Sequence, residues 1–352
     1  MKKLLTVLLV VVLAISSLAG CGKEEEVNQA VESSKQGSTE QEVAEEEEAE
    51  QFKIKIATWY AEGHPQIDAL NKFKSEVENN SEGNITVEIY PNSQLGSEEA
   101  FIDSIKKGSV EMGVPGTMMA KDLPKIAIVE MPFLFDGWDH VQEVLRGPIG
   151  EEITDGLIEA SGVRPLAWNV NGYRVISSNY EIAKFEDLKN MRLRVPGVEY
   201  YIKMAKAFGA NPTPMAFSEL FTALEQKVVD GQDNPYPTVR ASKLYEVQDY
   251  LLDSKHIFSP NLWVMNEKFY QSLPEDYKTI VNNAVEVASD LNWSLSIEKD
   301  TEDLEWLKEE GVVVTFPDEE FKRKLKESQV DVHNWFYDTY PGTKELAEKI
   351  LK

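Results

Sequence analysis

Residues 52–58, FKIKIAT, alternate apolar and polar positions, the period of a half-buried strand. Ile67, Leu70, Phe73 and Val77 then recur at helical spacing, and Gly83 closes that stretch. Ile85, Val87 and Ile89 alternate again. Ser97 is placed to cap a second helix, with Glu98 and Glu99 in its first turn, Phe101, Ile102 and Ile105 facing inward, and Gly108 as its stop. Val110, Met112 and Val114 predict a third strand, and strand–helix alternation predicts an α/β unit with a parallel sheet. The pattern returns downstream. Residues 163–177 read as extended, MRLRV at 191–195 as a strand, and 198–208 as a helix ending at Gly209. Ser218 is placed to cap a helix carrying Phe221, Leu224 and Val228. Two such units predict two lobes, whose interface is a favoured ligand site. After Pro274, residues up to 310 contain no Gly or Pro. One helix over 274–310 would span about 55 Å, enough to bridge both lobes. No solenoid-type repeat is visible.

The N-terminus follows a different rule. Lys2 and Lys3 precede an apolar run from Leu4 to Ile15 broken only by Thr6, then small residues up to Cys21. That is the order of a secretory signal over residues 1–20, and it is shorter than the roughly 20 apolar residues of a spanning helix. Leu18-Ala19-Gly20-Cys21 resembles the bacterial lipobox, which implies cleavage before Cys21 and its lipidation. An acyl chain there would anchor the protein, at about 0.8 kcal/mol per buried methylene. Cys21 is the sole cysteine, so the mature chain has no disulfide, Cys nucleophile or thiolate metal site. From Gly22 to Gln51 there are eleven glutamates, two lysines and no aromatic residue. Residues 21–51 therefore read as a lipidated cysteine followed by an acidic, disordered tether, with calcium binding by the acid run the lesser reading.

Charge and motifs narrow the function. The chain carries a formal −25, of which −18 falls on residues 52–352. This argues against nucleic-acid binding and against long-range attraction of anions, so an anion site must work through local, desolvated contacts. GxSxG, HExxH and GxGxxG are absent, and His64, His140, His256 and His333 lack metal-ligand spacing. Structural roles are expected for all four, and neither a catalytic residue, a metal nor a cofactor is expected. What stands out is arginine in strand context: Arg174 in NGYRVISS, and Arg192 and Arg194 in MRLRV. A guanidinium matches a carboxylate bidentately and stays charged at any working pH. Alternation puts Arg192 and Arg194 on one face. For Arg192 an ordinary salt bridge to a nearby acid is favoured; for Arg194 spacing leaves salt bridge and ligand anchor both open.

The following stretch carries a resemblance. Arg194-Val195-Pro196, the block Gly209–Glu219 (GANPTPMAFSE) and the block Val229–Pro235 (VDGQDNP) resemble the solute-binding proteins of TRAP (tripartite ATP-independent periplasmic) transporters, the DctP family. YPNSQLG at 90–96, NGYR at 171–174 and His64-Pro65 fit as well. The resemblance runs from about residue 52 nearly to the end. It implies a two-lobed, periplasmic-binding-protein-like α/β fold with hinge strands and a long lobe-spanning helix. The lobes would be residues 52–171 with 260–300, and 172–259 with 301–352. It further implies that Arg194 forms a bidentate salt bridge to a ligand carboxylate, with Arg174 as a second arginine nearby and Asn234 hydrogen-bonding the same group. Phe217 would pack on the apolar part of the ligand, and Trp59 would contribute from the other lobe unless it is simple core packing.

Sialic-acid-binding relatives place an acidic residue after the third strand and an arginine three positions on. Here Gly116 and Met119 stand instead, which disfavours sialic acid. A C4-dicarboxylate, a hexuronate or other sugar acid, or a keto acid stays open, with Trp59, Trp168 and Phe217 suited to a sugar-acid ring. The expected protein is a monomeric, extracytoplasmic receptor, lipid-anchored to the cell membrane, that hands an organic anion to TRAP permease subunits. A binding protein of an ABC importer, or a surface enzyme acting on sugar acids, are the other readings.

Overall fold

The structure, a computed structural model, describes residues 50–352. The signal, the lipobox with Cys21 and nearly all of the acidic tether lie outside the described residues. The chain runs β1 (Phe52–Ala57), α1 (Pro65–Asn80), β2 (Ile85–Tyr90), α2 (Glu98–Lys107) and β3 (Met112–Gly113). Three short helices, α3 (Trp138–Leu145), α4 (Pro148–Thr154) and α5 (Leu157–Ser161), lead into β4 (Val163–Ser178). Then come β5 (Arg192–Val195), α6 (Glu199–Ala207), β6 (Asn211–Pro214), α7 (Leu220–Glu225), β7 (Gly231–Asn234) and α8 (Tyr236–Ala241). The chain continues through β8 (Tyr250–Asn266), α9 (Glu267–Ser272), α10 (Glu275–Glu309), β9 (Val313–Thr315), α11 (Glu319–Ser328), α12 (Val330–Thr339) and α13 (Thr343–Ile350).

Among the described residues the strands form one sheet in the order β2-β1-β3-β8-β4-β7-β5-β6, with β9 also pairing β8. The outer pairs are parallel, as the strand–helix alternation predicts. The centre is not. β4 and β8 run antiparallel through both lobes; β8 joins β3 and β4 joins β7 antiparallel as well, while β9 lies parallel to β8. The sheet is therefore mixed: two parallel α/β lobes fused through a pair of long crossing strands. Ser97 caps α2 by accepting the Ala100 amide, and Gly108 ends that helix in the left-handed region, as predicted. The third strand shrinks to Met112–Gly113. The Ser218 cap is not formed: a 3-10 turn over Phe217–Glu219 precedes α7, and Lys227 at φ 56° turns the chain so that Val228 is exposed.

The crossing strands are bent, and α10 compensates. The β4–β8 ladder slips between Val170 and Gly172, where Gly172 adopts φ 122°, a region open essentially to glycine. A slip frees backbone groups that burial makes costly. Asn292 of α10 accepts the Val170 N–H at 2.8 Å, and Ser296 donates to the Val170 carbonyl at 3.2 Å. Trp293 donates its indole N–H to the Trp168 carbonyl at 3.0 Å. The helix comes this close because its buried face is largely small or polar: Ala284, Ala288, Ser289, Asn292 and Ser296. At 35 residues it extends about 52 Å and packs along α1, β4 and α8, elements of both lobes.

Replacing Asn292 by Leu keeps the volume and strands the Val170 N–H. We expect a loss of about 2 kcal/mol of stability, the cost of one buried unpaired donor. Urea denaturation checks it, and an unchanged midpoint would show that the slip is tolerated without the helix.

Candidate ligand-binding site

β5 is RLRV, and its burial separates the two arginines that alternation made equivalent. Arg192 starts the strand at the surface, where its Nη2 and Nε meet the Asp230 carboxylate at 2.5 and 3.1 Å. This is the salt bridge favoured for it. Two residues on, Arg194 is 3% exposed. Its Nε and Nη2 both donate to the Met215 carbonyl, at 3.2 and 2.8 Å. No carboxylate of the described residues forms a salt bridge with it, and Nη1 has no hydrogen-bond partner among them. The guanidinium lies 5.8 Å from the Phe217 ring centroid. Burial, aided by the nearby charge of Arg174, lowers its pKa to about 10, so it remains a cation at neutral pH.

Arg194 lines a cavity of about 210 Å³ that also takes in Trp59, Arg174, Phe217 and Asn234. The structure thus brings all five predicted site residues together. Arg174 differs in detail from expectation, because its fork is already engaged. On β4 it meets Asp233 of β7 at 2.8 Å (Nε–Oδ2) and 3.2 Å (Nη2–Oδ1), and its Nη2 also donates to the Asp233 carbonyl. Only Nη1 is turned elsewhere, 3.4 Å from Ser259 Oγ. Burial opposes both charges, but the pair overrides it: Asp233 is held down at about 2, and Arg174 well above its ordinary value. Asp233 also faces His256 Nε2 at 3.3 Å. Asn234 donates its amide to Gln232 Oε1 at 2.5 Å. Gly231, which starts this strand, has no room for a side chain: a Cβ would lie 2.1 Å from the Ser177 carbonyl oxygen.

Trp59 and Phe217 meet across the cavity from opposite lobes, with ring centroids 4.6 Å apart. Trp59 stacks on Tyr60 at 3.8 Å, and its indole N–H is buried without a partner among the described residues. It is both packed and a free donor at the cavity. Trp168 is elsewhere. It donates to the Gly150 carbonyl and lines a larger, open groove of about 930 Å³ formed by α4, α5 and α10, so it does not serve a ring-binding role at this cavity.

Reasoning from the chain missed two acids. Glu98, read only as a first-turn residue of α2, turns inward and accepts the Gly116 N–H at 2.8 Å. Burial and the neighbouring Glu130 push its carboxyl up to about 7, against the Gly116 amide, which lowers it. Glu130 is 2% exposed and accepts from Tyr200 Oη at 2.5 Å and Ser259 Oγ at 3.4 Å. Its signal was a lone carboxylate in the apolar run IAIVEMPF. The histidines have local partners: His64 caps α1 and bonds Asn171, His140 meets the Ile350 carbonyl, and His333 the Pro132 carbonyl. Among the described residues no group of three His, Cys, Asp or Glu could hold a metal, and no helix is long and apolar enough to cross a membrane.

The cavity is walled by two lobes and holds a buried guanidinium with no carboxylate against it among the described residues, an arrangement in which an anion would be favoured. The sequence profile of the bacterial extracellular solute-binding proteins, family 7 (DctP), matches residues 56–339. The chain belongs to this family. A TRAP periplasmic solute-binding protein from Haemophilus influenzae, solved with bound L-gulonate, is 36% identical with a TM-score of 0.82, over 85% of this chain and 99% of that one. The sugar acid binding protein DctPAm from Advenella mimigardefordensis, in complex with galactonate, is 32% identical with a TM-score of 0.83, over 86% and 97%. The sialic acid-binding periplasmic protein SiaP of Vibrio cholerae is 30% identical over 275 residues, 78% of this chain and 86% of its own. Family 7 proteins of this kind are extracytoplasmic binding proteins of TRAP transporters, and this chain is one of them.

In this family 7 protein, removing Asp233 leaves Arg174 buried and uncompensated. We expect Asp233→Asn to lose about 3–5 kcal/mol of stability. The pH dependence has a definite sign. A carboxyl held below its ordinary value of 3.8 stabilises the fold above that pH, and this contribution disappears as pH falls toward about 2. Acid unfolding monitored by circular dichroism should be steeper in that window for the native protein than for the variant.

Proposed function

We propose that the protein captures a small organic acid as its anion, a sugar acid or a C4-dicarboxylate-like compound, and delivers it to the membrane subunits of a TRAP-type secondary transporter. The observation that carries this reading is Arg194: a buried cation at a cavity, with two of its donors on a carbonyl and no carboxylate against it. Burying such a charge is costly unless an anion joins it, so the site gains most from a ligand carboxylate. Arg174 Nη1, the Asn234 amide and the Trp59 indole N–H supply further donors around that group, and Phe217 packs against its carbon skeleton. A cavity of about 210 Å³ lies below the roughly 300–1,000 Å³ of sites for drug-sized ligands, which favours a compact acid. The gulonate- and galactonate-bound relatives support the sugar-acid class.

The lobes, 52–171 with 260–300 and 172–259 with 301–352, close about β4 and β8 as a monomer, excluding water and strengthening each polar contact. The ligand leaves chemically unchanged. Cleavage before Cys21 and acylation there fix the receptor to the outer face of the membrane, with residues 21–51 as its tether.

Calorimetric titration with gulonate or galactonate tests the site. Arg194→Ala should weaken binding at least a hundredfold, about 3 kcal/mol, with an unchanged circular dichroism spectrum. Arg192→Ala should leave affinity as it is. An Arg194→Ala protein that binds like the native one would overturn the assignment.

The anchor has its own test. Native protein should partition into the detergent phase on phase separation, and Cys21→Ser should move it to the aqueous phase. Equal partitioning of the two would remove the lipid anchor.

A further inference from the structure

Among the described residues that line it, this cavity has one positive charge with no carboxylate partner. Arg174 is matched by Asp233, and Lys121, at the cavity, meets Glu99 at 2.9 Å, which leaves Arg194. Glu98 and Glu130, reaching in from α2 and the segment ahead of α3, face the same cavity. The two acids influence each other, and both lie beyond salt-bridge distance of Arg194. The Glu98 carboxyl is not loose: the Gly116 amide, on the loop after β3, holds one oxygen in place. It stands beside the stretch where Gly116 and Met119 replace the polar pair expected of a sialic-acid site.

We propose that Glu98 makes the cavity selective for polyhydroxylated monocarboxylic acids over dicarboxylic acids. This rests on the reading of the site as an organic-acid receptor with Arg194 as anchor. A fixed carboxylate is an acceptor, so it matches groups that donate, and ligand hydroxyls do. A second ligand carboxylate offers only acceptors and a like charge in a desolvated space. The same cost of negative charge bears on Glu98 itself, whose carboxyl burial and Glu130 push up to about 7. The buried Trp59 N–H, unpartnered among the described residues, adds one donor that can receive a hydroxyl or carboxylate oxygen of the bound acid. Selectivity here is a penalty built against the wrong ligand as much as an attraction for the right one.

The test is titration of the purified protein and its Glu98→Gln variant with a six-carbon aldonate and with succinate at pH 8, where Glu98 is largely ionised. The amide keeps the size of the side chain and an oxygen for the Gly116 N–H but removes the charge. The native protein should prefer the aldonate, and the variant should shift the succinate-to-aldonate affinity ratio at least about tenfold toward succinate. A thermal midpoint of the variant at or above that of the native protein at pH 8 shows that it is folded, because the raised carboxyl disfavours the fold once ionised. A ratio that stays fixed in the folded variant, or a native protein that prefers succinate, overturns the inference while leaving the receptor reading intact. If neither ligand nor a wider panel of organic acids binds the native protein, the receptor reading itself fails. Should the variant not fold, Glu98→Asp, which retracts the charge by one methylene, takes its place with the same criterion.

Discussion

The buried Arg174–Asp233 pair is the interaction on which the cavity depends. β7 lies between β4 and β5, so its Asp233 stands between the strands that carry the two guanidiniums. Without that carboxylate, two cations would share one desolvated space with no anion placed between them. With it, Arg174 is neutralised internally and Arg194 is the charge left over. Burial and the neighbouring charge of Arg174 hold the pKa of Arg194 below its ordinary value even so. A carboxylate bound there, as proposed, would offset both effects, so affinity and the fold's electrostatics would be aspects of one arrangement.

The crossing strands convert this local balance into a two-lobed device. Arg174 and Ser259 belong to β4 and β8, which run through both lobes, whereas Arg194 and Phe217 come from the second lobe and Trp59 and Glu98 from the first. A ligand held by Arg194 and touched by Trp59, as proposed, would bridge the lobes. The Trp59–Phe217 contact shows how close the two sides approach. The bends in β4 and β8 leave backbone groups unpaired, and α10 satisfies them from outside the sheet. The hinge is bent, but its hydrogen bonds are accounted for at Val170.

The longer helices α1, α2, α6 and α10 and the first lobe's outer strands β1 and β2 were legible because each buries one face, and a periodic face is what a chain displays; β6, at the other edge, and short helices such as α3, α4 and α5 were not. α1, α2, α6 and α10 all fall within a residue or two of their expected bounds. β8 was not legible, because YLLDSKHIFSPNLWVMN has no period-2 pattern. A crossing strand covered on both sides and kinked by register slips does not need one. The arginines show the same limit at the site. Alternation correctly put Arg192 and Arg194 on one face, but their difference lies in which acid each meets. Arg192 finds Asp230 at the strand edge, and Arg194, deeper, finds none. Only the motifs downstream separated them. Those motifs drew attention to Asn234 and passed over its neighbour Asp233. Glu98 stayed hidden because Glu98 and Glu99 look alike in a helix's first turn. One reaches out to Lys121 and the other folds in against the Gly116 amide, a choice made by tertiary packing alone.

The acidic surface and the anion cavity then fit together. With −18 on residues 52–352, the exterior does not draw anions in over distance, and beyond a Debye length of about 8 Å its repulsion is largely screened. Recognition is left to contacts made after entry. On the proposed reading, one unmatched guanidinium admits one carboxylate, and the two carboxyls opposite make a second one costly. On that reading the bound acid is sorted by the charge that the desolvated cavity can absorb.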